Sequence, residues 1–400
     1  MMLTRIAVCA VVLSTGLNAQ KSPLAPDRLA KVRAALDAIY RLDYGTAKAR
    51  CQDMIREWPE DPVGYVYLAR VHWQELLLEE RALTVTRFTQ PDFFSETPKY
   101  KAVMDREAEQ RFRAAADTAI DKARKFANGR PKDPAALFLL GAAYQNEATF
   151  QISLNNAWLA AARAGNRSYH AHRDLAALDA GYADARLVTG VYNFTVGSLP
   201  WKIKWLSVLL GYQGSVARGR EELEMTAAKG LIVADDARAM LALIYAREKK
   251  YGEALRRLDE LRERYPENYL THLDMAGLEI RRGRPVDAVK LLKEVLAKID
   301  ARTGSYARLE PPIVYNQLGV AYRAAGDLTS SETWLRRSLS ATSAAPRSKT
   351  IAHLELGKTL DQMGRRSEAL EQYGQVRKAA DYAGSHREAA RYLSQPYQPR

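Results

Sequence analysis

The chain has 400 residues, 47% of them hydrophobic and 27% charged, the balance of a folded soluble protein rather than a disordered one. Lys and Arg outnumber Asp and Glu by 60 to 47, a net charge of +13 that favours anionic partners or surfaces. The basic residues are spread along the chain and not gathered in a stripe with stacking aromatics, which disfavours nucleic acid. Two cysteines exclude a disulfide framework.

Residues 1–19 have the form of a secretory signal peptide. Arg5 supplies the positive start, Ile6 to Leu13 the short apolar run, and Leu17-Asn18-Ala19 a cleavage site. The expectation is export to a periplasmic or extracellular location. Cleavage would remove Arg5 and Cys9, lowering the charge to +12 and leaving Cys51 as the lone cysteine. The apolar run is too short for a comfortable membrane span, so a membrane surface is a candidate partner but a span is not expected.

Residues 20–26 read as a linker and 27–130 as N-terminal helical hairpins. A helix from Asp27 to Tyr40 is followed by Tyr44, Ala47, Cys51, Met54 and Pro59 at helical spacing. Cys51 reads as a small buried core residue. Asp61-Pro62 opens a helix reaching about Leu83. An insertion near 84–103 carries Phe88, Phe93 and Phe94, suited to local packing or to a ligand-contacting lip. Met104 to Asn128 resumes as a helix. The stretch 131–230 is irregular. A long helix over Glu147–Ala164 is expected to break at Gly165-Asn166, then helices over Tyr169–Leu178 and Ala183–Phe194, with Gly190 as a small crossing residue. Trp201 to Leu210 reads as a short buried helix.

Residues 231–384 are regular. Counting from Asp235, Leu241, Ala242 and Tyr245 fall at positions 7, 8 and 11, and Ala254, Leu258, Leu261 and Pro266 at 20, 24, 27 and 32. Each set lies on one helix face. Small residues at 8 and 20 allow close helix crossing, and Pro266 ends the second helix. The unit recurs from Tyr269, Pro312 and Thr350, with Ala288 34 residues after Ala254 and Ser331 in place of the alanine. Gly283, Gly326 and Gly364 share position 15, where a left-handed residue closes the first helix. Residues 385–400 read as a cap and a disordered tail.

These positions resemble the tetratricopeptide repeat (TPR). The block Gly190-Val191-Tyr192, Leu199-Pro200-Trp201 and Leu209-Leu210-Gly211 resembles the atypical repeats of Iml2 and TTC39-like proteins over about 131–265. The resemblance implies an all-α solenoid of stacked antiparallel hairpins and no catalytic residue. It also implies which residues line the inner groove, those at positions 2, 5, 9, 12 and 13. From these come the peptide-groove candidates Arg247, Leu273, Ile280, Arg281, Asn316, Val320, Arg323 and Lys358: an apolar lining with cationic points, fit for a segment with acidic groups. Leu243, Gly277 and Val320 stand where the C-terminal carboxylate clamp of some members would want Asn.

Motifs for chemistry are missing. His170 and Asp174 share a helix face with His172 elsewhere, too few ligands for zinc, and these side chains are expected to face solvent. Gly357-Lys358-Thr359 has Ala352 where a phosphate loop needs glycine. No cofactor, metal or catalytic residue is expected. The leading expectation is an exported, non-enzymatic scaffold binding protein or peptide partners in a concave groove. The alternative is an envelope accessory protein binding anionic lipid or polysaccharide through its basic surface. A third is an enzyme sited near His170–Asp174 and the aromatic insertion.

Overall fold

The computed structural model describes residues 20–79, 106–153, 157–199, 213–382 and 384–399. The signal segment, the insertion near 84–103 and the helix expected over Trp201–Leu210 lie outside the described residues. Among those described there are 17 α-helices and no strand. They are α1 (Pro26–Tyr40), α2 (Tyr44–Glu57), α3 (Val63–Glu79), α4 (Arg106–Ala127), α5 (Pro134–Ser153), α6 (Trp158–Leu178), α7 (Arg186–Gly197) and α8 (Val216–Lys229). The regular part follows as α9 (Ala234–Arg247), α10 (Tyr251–Arg264), α11 (Tyr269–Arg281), α12 (Pro285–Asp300), α13 (Pro311–Ala324), α14 (Leu328–Ser340), α15 (Pro346–Gln362) and α16 (Arg366–Lys378), closed by α17 (Ser385–Ser394). Each helix packs on its chain neighbour, so the architecture is an all-α solenoid of hairpins.

The turn inside each hairpin explains the repeat. Gly283, Gly326 and Gly364 have φ of 80°, 83° and 76°. Lys249 and Leu42, at the same position of their units, take φ of 60° and 59° without being glycine. In all five turns the next backbone N–H reaches back five residues to a carbonyl. Lys250 bonds to Tyr245 and Arg284 to Glu279 at 2.8 Å, Asp327 to Tyr322 at 3.0 Å, Arg365 to Leu360 at 2.9 Å and Asp43 to Ala38 at 2.8 Å. That bond ends the first helix and aims the second back along it.

Close crossing explains the small residues. A Cβ added to Gly357 would lie 2.5 Å from the Tyr373 ring, and one at Gly319 would lie 2.4 Å from Leu335 Cγ. Ala254, Ala288, Ser331 and Ala369 at position 20 are fully buried. The Ser331 hydroxyl pays no burial penalty, since it donates to the Gly319 carbonyl at 2.7 Å. The crossing expected at Gly190 is present: its Cβ would meet Leu223 at 2.9 Å, and Gly219 opposes it on α8.

The middle corrects two readings. Gly165-Asn166 does not break a helix: α6 runs through both, and the break falls between α5 and α6. Glycine's helix cost of about 1 kcal/mol is outweighed by packing along α5, the most extensive helix pair among those described. His172 does not face solvent. It is buried beneath Phe138, its Nδ1 lies 3.0 Å from the Ser168 carbonyl, and burial pushes its imidazole down to about 4. His170 and Asp174 are exposed. Cys51 is fully buried, which raises its thiol to about 12.

The solenoid closes on itself. One buried cluster runs through Val32, Leu36, Met54, Tyr67, Leu139, Leu175, Leu223, Leu241 and Leu258, joining the N-terminal hairpin to the middle and to α9 and α10. Tyr40 stacks on Tyr265 at 4.9 Å, Asn268 donates to the Tyr40 carbonyl at 2.7 Å, and Arg308 donates to the Leu42 carbonyl at 2.7 Å. The first hairpin is therefore a hub around which later units turn.

Candidate binding groove

The residues at positions 2, 5, 9, 12 and 13 of the first helices of the regular hairpins, expected to form an inner face, are occupied unevenly. At α9 it is occupied by the hub. Arg70 grips the Asp236 carboxylate with both guanidinium nitrogens, at 2.6 and 2.9 Å, and the Tyr40 hydroxyl donates to the same group. The Arg70 and Asp236 side chains are 11% and 19% exposed, so the pair is largely desolvated. Burial works against the Arg70 charge, but Asp236 and Tyr40 more than offset it. Such a pair is weak evidence for net stability, yet removing either partner would strand the other.

At α15 the inner face holds a second charged constellation. Glu355 receives the Arg323 guanidinium on one oxygen and Lys358 Nζ, at 2.8 Å, on the other. Lys358 also pairs with Glu388 of α17 at 2.7 Å. Burial alone would raise the Glu355 carboxyl, but Lys358 and Arg323 hold it down to about 2. Asp361, with no side-chain exposure, accepts from Arg366 at 2.9 Å, from the Tyr373 hydroxyl at 2.8 Å and from the Tyr397 backbone N–H at 2.8 Å. Arg366 in turn donates to the Tyr392 and Leu393 carbonyls that end α17.

The disordered tail expected after α17 is thus corrected. Residues 395–399 return across the inner face, with the Tyr397 ring 5.4 Å from the Arg323 guanidinium and 5.9 Å from Lys358 Nζ. Glycine-free but proline-rich sequence reads as tail; the signal that it docks lies in the cations it meets, more than 35 residues away.

The candidate lining residues sort accordingly. Arg323 and Lys358 are committed to Glu355. Leu273 is buried in the cluster formed with Ala276, Leu292 and Leu318. Asn316 is buried and donates to the Ser348 carbonyl at 2.8 Å, tying α13 to α15. Arg247 is half-buried, and its desolvation lowers its pKa. Ile280 and Val320 are half-buried, and Arg281 is exposed. On α11 and α13, then, Leu273 and Asn316 are buried and Arg323 is committed, while Ile280, Val320 and Arg281 keep some exposure. Sequence reasoning placed Asp236 and Asp361 on the inner face but missed Arg70 and Glu355. Glu355 was legible three residues before Lys358 on one helix; Arg70 was not.

No group of three or more His, Cys, Asp or Glu fit to hold a metal occurs among the described residues. No helix among them is long and apolar enough to cross a membrane.

Residues 245–310 match one description of the tetratricopeptide repeat, and residues 314–343 match a second. The chain carries tetratricopeptide repeats. Both matches fall in the regular stretch, and repeats of this kind make a scaffold for protein interaction. Among solved structures the chain is similar to yeast Tom70, at 12% identity and a TM-score of 0.40 over 90% of this chain and 87% of that one. It is also similar to a tetratricopeptide repeat protein of Parabacteroides merdae, at 12% identity and a TM-score of 0.34 over 83% of this chain and 100% of that one. The TPR domain of P58(IPK) aligns at 12% identity and a TM-score of 0.24, over 92% and 98% of the two chains. No curated protein matches. The resemblance of 131–265 to Iml2 and TTC39-like repeats is not shown by these matches.

Proposed function

We propose that this TPR chain is an exported, non-enzymatic scaffold that binds protein or peptide partners along the inner face of α11 and α13. The observation that supports this reading is the exposure left on α11 and α13 between two filled stretches. Ile280 and Val320 are half-buried and Arg281 is exposed, on regular hairpins whose first helices share a face. An apolar strip flanked by a cation suits a helical or extended segment with acidic groups.

The test is affinity capture from an envelope extract, with the intact chain and with an Arg247→Glu, Arg281→Glu variant as bait. Arg323 is left in place because its charge is committed to Glu355. A partner recovered by the intact chain and lost by a variant of unchanged circular dichroism supports groove binding. Equal recovery sinks it. Export is checked by N-terminal sequencing: mature protein beginning at Gln20 is expected, and protein retaining Met1 in the cytosolic fraction would refute it.

A further inference from the structure

The segment 395–399 is a thin cover over a finished site. Gln395 leaves α17 in extended backbone, φ −142° and ψ 141°. Gln395, Pro396, Gln398 and Pro399 are exposed, and Tyr397, the anchor, is only half-buried. It is held by one N–H donated to Asp361 at 2.8 Å, by its ring near two cations and by that ring's edge-on contact with Tyr392 at 5.3 Å. A segment with so few buried contacts belongs to the low end of local opening free energies.

The floor beneath is of another kind. Arg323, Glu355 and Lys358 have side chains 8%, 12% and 11% exposed, and Asp361 has none. Their charges are paired with each other, with Glu388 and with Arg366, so the floor does not depend on the strap for its balance. It nonetheless offers an acceptor, Asp361 Oδ2, aimed at a backbone N–H, and two cations placed for an aromatic face. Gln-Pro-Tyr-Gln-Pro is in turn the kind of extended, proline-stiffened segment that docks by one aromatic anchor at low entropic cost.

We infer that the inner face around Arg323, Lys358 and Asp361 is a receptor for an extended, proline-flanked tyrosine segment of a partner protein, and that residues 395–399 are its resident occupant. This goes beyond the reading above, adding a second site at α13 and α15, and rests on it only in taking the chain as a scaffold for protein partners. The resident segment competes at the effective concentration of a short tether, on the order of millimolar. The partner meets only the open fraction of the site, and its apparent affinity falls by that fraction.

The probe is a fluorescein-labelled peptide copying Arg391 to Pro399, titrated by fluorescence anisotropy against the full chain and against Tyr397→Ala. Saturable binding to Tyr397→Ala, about tenfold tighter than to the intact chain and lost when the probe carries alanine at the position of Tyr397, is the expected result. Weakening by Lys358→Gln in the Tyr397→Ala background, with circular dichroism unchanged, would place the peptide on this floor. No saturable binding to a folded Tyr397→Ala chain, or equal affinity for both chains, overturns the proposal. So does a dimer of the intact chain that dissociates in Tyr397→Ala, because the segment would then dock between copies. A captured partner held equally by both chains and not displaced by the peptide leaves the scaffold reading standing and overturns this one.

Discussion

Two stretches of the inner face of this TPR array are covered by the chain itself, and they are covered differently. At α9, Asp236 is met by Tyr40 of α1 and Arg70 of α3, helices whose apolar faces share one buried cluster with Leu241 and Leu258. At α15, Lys358 and Asp361 are met by Glu388 of a short helix and then by a strap with one anchor. Both sites bury charge. At α15 the short helix also shares core packing, through Ala389 in the cluster of Leu335, Leu354 and Tyr373, and only the strap 395–399 lies outside a buried cluster, so the contrast is between the first cover and the strap. A buried ion pair alone does not tell the two apart; the apolar area that comes with it does.

The largest effect should come from breaking the first. Asp236→Ala leaves the Arg70 guanidinium buried without its carboxylate and should cost about 3–5 kcal/mol, read as a fall in the chemical denaturation midpoint. An unchanged midpoint would mean the hub closes without this pair.

Acid tests the second. The Glu355 carboxyl has its folded pKa depressed to about 2, from an ordinary 4.5. Its contribution is present above 4.5 and is lost as pH falls toward 2, at about 1.4 kcal/mol per pKa unit. His172 and His272, both held down to about 4 by burial, act higher: stability is full above 6.5 and falls from there to 4. Denaturation curves from pH 7 to 3 should weaken in two stages, and a Glu355→Gln variant should show a smaller lower one, the rest belonging to carboxylates such as Glu332 and Asp43 that are also held down. A curve flat above pH 4.5 would contradict the histidine assignment.

Gly357→Ala isolates the floor from its cover. The added Cβ meets the Tyr373 ring at 2.5 Å, and overpacking of this kind costs about 1–3 kcal/mol. The melting temperature should fall while the hub, monitored by hydrogen exchange around Asp236, stays protected. Tyr397→Ala should do least, below about 1 kcal/mol, since its residue is only half-buried and lies outside the buried clusters. A loss as large as that of Asp236→Ala would make the strap structural and erase the contrast.

What was legible in the sequence follows the range of the interactions. The regular hairpins rest on contacts 3, 4 or about 12 residues apart, and periodicity reports those. Gly283, Gly326 and Gly364 marked their left-handed turns, whereas Lys249 and Leu42 hid the same turn because their side chains gave no sign of it. Gly165-Asn166 misled because local cost was weighed without the facing helix. On the inner face, the lining positions could be named from the repeat, but Asp236 and Arg70 are 166 residues apart. No local pattern reports that the hub would claim one stretch and the strap another.

The closure of α1 and α3 on α9 also sets a schedule. Repeat arrays are expected to fold between neighbours, wherever nucleation begins. This one cannot finish that way, since Arg70 is made 166 residues before Asp236. At typical synthesis rates the guanidinium waits roughly 8–33 s for its partner. Until then Tyr40, Tyr67 and their apolar neighbours lack half of their final surroundings, and the earliest-made hairpin is among the last to settle. A chain folding from the ribosome would hold that surface open longest, which makes it the place where a chaperone would bind or an aggregate would start.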